Sequence, residues 1–269
     1  MANGLALCLG LNGVDPDRYC DWPGTLQGAE PDARAMACLA VREGYSVTLR
    51  QGSQITRGAV EAAVRGALAR LRTGDTFLLT FAGHGAQVSD PREPGGSSQA
   101  LCLYDGLLID DELYALFGEA PAGSRILVVA DCCHSGTIVK ADDRTPVGAL
   151  SRGMPSGDVL ATFEEHRAFY ADRLARIAPD ARTRLRASLR HLSACRDDEQ
   201  ALESQGHGLF TAALLQTWNQ GAFQGNYDAF LEELRELSRG ARHPGLLRLG
   251  PDDPAFDAAR PFYLNVDAP

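Results

Sequence analysis

Apolar positions change spacing repeatedly along the chain. Compact runs at 5–11, 45–49, 77–82 and 126–130 read as strands. Between them the apolar residues fall at helical intervals: Ala33, Met36, Ala37 and Ala40, then Ala59, Val60, Ala63, Val64, Ala67 and Leu71. Gly44 and Gly74 are placed to end these helices, and Thr56 to cap the second. A Pro/Gly/Ser-rich loop at 89–98 leads into short strands at 101–104 and 107–109, and Asp110-Asp111-Glu112 sets acids against the N-terminal dipole of another helix. Beyond the 126–130 strand the texture alters. Residues 141–187 form an Arg-rich, partly helical insertion carrying Phe163, Phe169 and Leu174, before a strand at 188–195, helices at 209–218 and 227–237, and a last strand at 261–266. Alternation of this kind predicts an α/β fold, a mostly parallel central sheet flanked by helices on both faces, with reactive groups gathering beyond the carboxyl ends of the strands. The expectation is one domain over 1–269 carrying the insertion.

Composition narrows the function classes. A formal charge of −9 argues against nucleic-acid backbone binding and favours cationic partners. The stretch 140–190 carries ten basic residues against seven acids, so the remainder is more acidic still. No apolar run approaches about eighteen residues and the first residues lack a basic leader, which predicts a soluble, cytoplasmic protein with no membrane association. The seven cysteines, mostly inside apolar segments, read as reduced, buried thiols rather than a disulfide framework, with Cys8, Cys20, Cys38, Cys102 and Cys195 as small buried hydrophobes.

Two strand ends stand apart. One delivers Asp131-Cys132-Cys133-His134-Ser135-Gly136, the other Gly83-His84-Gly85. A thiol attacks a carbonyl as thiolate, so it needs a base or a positive neighbour, and the tetrahedral intermediate needs donors aimed at its oxyanion. Flanking glycines let a substrate backbone approach, and the amides of Gly85 and Cys133 are candidates for those donors. The four Cys and His side chains here match no standard zinc spacing.

These segments make the sequence resemble the caspase/metacaspase superfamily, most closely the prokaryotic metacaspase-like proteins. The resemblance lies in Thr80-Phe81-Ala82-Gly83-His84-Gly85-Ala86-Gln87, in Asp131-Cys132-Cys133-His134-Ser135-Gly136-Thr137, in Leu26-Gln27-Gly28-Ala29-Glu30-Pro31-Asp32-Ala33, and in Gly208-Leu209-Phe210-Thr211. The histidine stands 49 residues before Cys133, matching caspase spacing. The resemblance implies a cysteine endopeptidase with Cys133 as nucleophile and His84 as base or acid, requiring no cofactor. It places Asp32 and Asp131 in an acidic pocket for the substrate residue before the cleaved bond, with Arg preferred over Lys because two carboxylates suit a guanidinium. Cys132 and His134 would point away from the chemistry.

Two positions depart from the family pattern. Ala82 takes the place of a pocket serine, removing one hydroxyl. Of the acids that bind calcium in some members, Asp110 and Asp111 remain while Gln99 and Lys140 hold the other places, which predicts calcium independence. Activation is then expected from another trigger, a partner or small ligand, or self-cleavage at Arg144 or Arg152 in the insertion. The rival expectation is a catalytically silent caspase-like module for binding or ligand sensing. Expected substrates are proteins or peptides with Arg at the cleavage site.

Overall fold

A computed structural model describes residues 2–90, 92, 95–133, 148–178, 181–196, 199–238 and 243–264. In chain order it forms β1 (Gly4–Gly10), α1 (Ala29–Arg42), β2 (Ser46–Gln51), α2 (Arg57–Leu68), β3 (Thr76–Ala82), β4 (Gly85–Ser89), β5 (Ser97–Leu103), β6 (Gly106–Ile109), α3 (Asp110–Phe117) and β7 (Arg125–Asp131). The second half contributes β8 (Leu150–Ser151), α4 (Ser156–Glu165), α5 (Arg167–Ala175), β9 (Ser188–Ser193), β10 (Leu202–Ser204), β11 (His207–Gly208), α6 (Leu209–Trp218), α7 (Tyr227–Leu237), β12 (Gly245–Leu249) and α8 (Pro254–Ala258).

Six strands make the central sheet in the order β12-β9-β7-β3-β1-β2, parallel throughout except for β12 against β9. Side-chain parity sorts its two faces. Leu5, Leu7 and Leu9 of β1 and Ile126, Val128 and Ala130 of β7 face one core with Val60, Val64, Leu113 and Leu116; Ala6, Cys8, Leu127 and Val129 face the other with Met36, Phe210, Leu214 and Phe230. The same parity parts the neighbouring thiols, Cys132 joining the first core and Cys133 the second. Thr56 caps α2 as expected, its hydroxyl accepting from the Ala59 amide at 3.3 Å.

Three expectations fail. Cys20 and Cys38, read as buried, are exposed, Cys20 in a loop and Cys38 on the outward face of α1. The stretch 261–264 forms no strand, because Phe262 has φ 69°, a left-handed conformation that extended backbone excludes; the edge strand is β12 instead. The loop expected at 89–98 is partly strand, since β4 runs from the Gly-His-Gly segment through Ser89 and pairs antiparallel with β5 from Ser97. The helical part of the insertion is α4 and α5. Their Val159, Tyr170 and Leu174 join the first core, and the Tyr170 hydroxyl accepts from the Leu107 amide at 3.0 Å. Lys140, Arg144 and His134 lie outside the described residues.

Candidate active site

β3 and β7 pair in register, Ala82 opposite Asp131, so both strands finish at the same level, two residues before His84 and Cys133. His84 is buried, 5% exposed. Its Nε2 lies 3.1 Å from the carbonyl of Gly24, a residue with φ 53°, and the ring meets Trp22 edge-on at 4.7 Å between centroids. A carbonyl only accepts, so Nε2 carries the proton and Nδ1 keeps its lone pair. Nδ1 is buried with no hydrogen-bond partner among the described residues. Burial pushes the His84 pKa down to about 4, against a smaller upward pull from the Gly24 carbonyl, so the ring is neutral near pH 7. A neutral ring with a free basic nitrogen is the form a general base requires.

The Cys133 side chain is fully buried, Sγ lying 3.9 Å from Ser151 Oγ and 4.0 Å from the Ala201 carbonyl. Cys132 points to the opposite face, and burial drives its pKa well up, which disfavours a thiolate.

What fills the site is the chain itself. Arg152, entirely buried, extends its guanidinium between Asp32 at 2.6 Å, Asp131 at 2.9 Å and Glu203 at 3.2 Å. Its carbonyl accepts from two amides, Gly85 at 3.0 Å and Cys133 at 3.2 Å. Its own amide donates to the Ala201 carbonyl at 2.9 Å, continuing the antiparallel pairing of β8 with β10. Beyond the Arg152–Gly153 bond, Gly153 bridges to Gly85 in parallel sense and the Met154 amide donates to the Gly85 carbonyl at 2.8 Å. This is the posture of a bound substrate, an extended backbone with its carbonyl on paired donors and a side chain in a charged pocket.

The pocket acids are themselves held. Asp32 accepts from the Gly208 amide at 2.8 Å and meets His207 Nδ1 at 2.8 Å; Asp131 accepts from the amide and hydroxyl of Thr211 at 3.1 and 2.6 Å. Burial, then the charge of Asp131, holds the Asp32 pKa above the ordinary carboxylate value despite the guanidinium. Arg152 is desolvated, which lowers its pKa, but Asp131 and Asp32 more than offset that and hold it above the ordinary value. Glu203 escaped sequence reasoning. It sits on the three-residue β10 in a polar stretch without a motif, and it accepts from the amides of Gln27 at 2.7 Å and Gly28 at 3.1 Å, beside the segment that opens α1. Another expected pocket residue, Ala82, ends β3 packed with Leu26 and Ala29 and brings no polar atom of its side chain to the guanidinium.

Asp110 and Asp111 belong to a different cluster. Asp110 pairs with Arg182 at 2.6 Å, and Asp111 shares Arg92 with Asp90 at 3.0 and 2.6 Å. This donor set does not fit calcium, because guanidinium groups already meet the carboxylates a cation would need.

The caspase-domain model matches residues 4–246. The chain belongs to the caspase-domain family. Among curated proteins, this caspase-domain chain is 24% identical to metacaspase-1 of Schizosaccharomyces pombe over 279 residues, covering 86% of this chain and 63% of that protein. It is 28% identical to metacaspase-4 of Arabidopsis thaliana over 137 residues, 44% of this chain and 32% of that one. The chain thus spans less than two thirds of the length of these relatives. A solved structure of a Geobacter sulfurreducens protein superposes with a TM-score of 0.89 at 38% identity, covering 97% of this chain and 99% of that one. The caspase-like fold follows from that likeness and from the mostly parallel sheet. Among the described residues, no helix is long and apolar enough to cross a membrane.

Proposed function

We propose that this single caspase-like domain is a cysteine endopeptidase that cleaves after Arg, with Lys second, and that it is latent because residues 150–154 occupy its own substrate cleft. The observation that carries this reading is Arg152, whose guanidinium meets three carboxylates while its carbonyl rests on the amides of Gly85 and Cys133. Cys133 attacks the carbonyl carbon, His84 Nδ1 takes the thiol proton and returns it to the leaving nitrogen, and the two amides hold the oxyanion. Asp32, Asp131 and Glu203 bind the substrate guanidinium, so protein or peptide substrates carry Arg before the cut.

Self-cleavage falls at Arg152–Gly153, and activation comes from displacement of this segment by a partner or ligand rather than from calcium. No cofactor enters the chemistry. A reducing compartment such as the cytoplasm suits seven free cysteines. The test is turnover of fluorogenic Arg and Lys peptides, with and without calcium, by wild type, Arg152→Ala and Cys133→Ala. Turnover released by Arg152→Ala, absent from Cys133→Ala and indifferent to calcium supports the reading. An Arg152→Ala protein that folds, binds Arg peptides and turns none over points instead to a silent binding module.

A further inference from the structure

The two sides of the Arg152–Gly153 bond rest on independent supports. On the acyl side are the three carboxylates, the β8–β10 pairing and the bond from the Arg152 amide to Ala201. The amine side is gripped differently. Met154 is fully buried in the first core with its sulfur 3.9 Å from that of Cys102, its amide is bonded to the Gly85 carbonyl, and α4 follows at once. Helices α4 and α5 then lock into the fold through Val159, Tyr170 and Leu174, a stacked Phe163–Tyr170 pair at 5.2 Å, and Arg173 bonded to Glu112 at 2.5 Å.

Neither half leaves when the bond between them is cut. In ordinary proteolysis the amine product diffuses away and water takes its place. Here the Gly153 nitrogen stays beside the carbonyl it has left, and groups held in reacting geometry reach effective molarities on the order of 10⁵ M or more, above any concentration of bulk water.

Resting on the endopeptidase reading, we propose that the enzyme also makes a peptide bond: Arg152–Gly153 is cut and resealed by Cys133, so that intact and cut chains interconvert until α4 and α5 loosen. In the forward step the Cys133 thiolate adds to the Arg152 carbonyl carbon, the C–N bond breaks, and the proton on His84 passes to the Gly153 nitrogen, leaving a thioester and a neutral amine. In the return step that amine adds to the thioester carbon, gives a proton to His84 Nδ1, and expels the Cys133 thiolate. Hydrolysis of the thioester yields the Arg152 carboxylate. By the reverse of those steps the Cys133 thiolate adds to the protonated Arg152 carboxyl, the His84 imidazolium gives its proton to the departing hydroxyl so that water leaves, and the Gly153 amine held alongside draws the thioester on to the amide. Cutting by itself does not open the cleft; release of the amine side does.

Oxygen-18 water tests this on the full chain. Each passage through hydrolysis and resealing puts solvent oxygen into the Arg152 carbonyl. After incubation the protein is denatured and digested with a protease specific for acidic residues, keeping 152 and 153 in one peptide. In wild type the intact spanning peptide should gain the mass of one oxygen-18 progressively, and in Cys133→Ala not at all. Met154→Ala, which frees the amine side, should raise the cut fraction about tenfold and lower labelling of the intact peptide, while Met154→Leu restores both. Label confined to cut chains would overturn resealing and leave Arg-specific self-cleavage standing. An unlabelled, uncut chain that also yields no Arg152 hydroxamate when hydroxylamine is added to intercept the thioester, in a preparation that turns over added Arg peptide, would overturn it as well. Failure of the parent reading looks different: no turnover of added Arg peptide even by Arg152→Ala.

Discussion

Two arginine clusters use the same residue types to different ends. In the scaffold cluster, Arg57, Arg65 and Arg173 face Glu61, Glu112 and Glu119, three cations for three anions, with Arg57 and Arg173 also 5.2 and 5.7 Å from the Phe169 ring. In the cleft, one arginine faces three carboxylates, and Oδ1 of Asp131 has no hydrogen-bond partner among the described residues. The balanced cluster ties α2, α3 and α5 together. On the proposed reading, the surplus acid of the cleft makes it a seat for an exchangeable cation, whose occupant has its carbonyl on two amides. Surplus acid together with full burial sets the cleft apart, since the Asp90–Asp110–Asp111 cluster also has more acids than arginines but holds them with half-exposed guanidinium groups.

Removing the arginine from each cluster breaks the comparison most strongly. Arg152→Ala strands buried carboxylates and should cost about 3–5 kcal/mol in denaturant unfolding, recovered largely by millimolar arginine amide. Arg57→Ala should cost stability too but gain nothing from the ligand, since Arg173 remains and no seat opens. Equal rescue of both would remove the distinction.

A pH series separates the histidine from the acids. The folded-state pKa of His84 lies at about 4 against an ordinary 6.5, so between these values the unfolded chain takes up a proton that the folded protein refuses. Its contribution is full above pH 6.5 and is lost as pH falls to 4, by about 3 kcal/mol at 1.36 kcal/mol per unit. Asp32, raised in the folded state, acts in the opposite sense, losing stability as pH rises through its range. Subtracting a His84→Gln curve from the wild-type curve isolates the histidine; a flat difference between pH 4 and 6.5 would contradict its buried, neutral state.

Glu203→Gln sharpens the comparison within the cleft. In the Arg152→Ala background it should lower kcat/KM for Arg peptides about tenfold to a hundredfold and for Lys peptides less, because one charge-assisted bond to the guanidinium is lost. Glu61→Gln should leave this ratio where it was. Smallest is the third cluster, where Arg182 is 41% exposed: Asp110→Asn should cost no more than about 1 kcal/mol, and added calcium should not shift the melting temperature of either protein.

Much of this was legible in the sequence, for identifiable reasons. Buried parallel strands write themselves as apolar runs, so β1, β3 and β7 and the helices between them could be read from spacing, and Asp131, Cys133, His84 and Gly85 stand at the ends of two such runs. The pairing of β4 with β5 was hidden by the Ser, Gly and Pro between them, and β12 by the more apolar 261–266, where the conformation of Phe262 decides against a strand. Glu203 was invisible because a short antiparallel strand leaves no periodicity to recognise. Arg152 was legible in the sequence only as one of two candidate cut sites in the insertion; its seat against Asp32 depends on a contact across 120 positions, which local pattern does not encode.

Gly208 carries a consequence for how relatives can be judged. A methyl group there would overlap Asp131 and the Arg152 guanidinium, and one at Gly28 would crowd the same guanidinium and the backbone of His207. Two hydrogen atoms thus keep the slot open. A family member could retain every pocket acid, the cysteine and the histidine, and still lose its taste for arginine through a single alanine at the position of Gly208. Inventories of charged residues would miss such a loss, whereas the small residues lining the slot would reveal it.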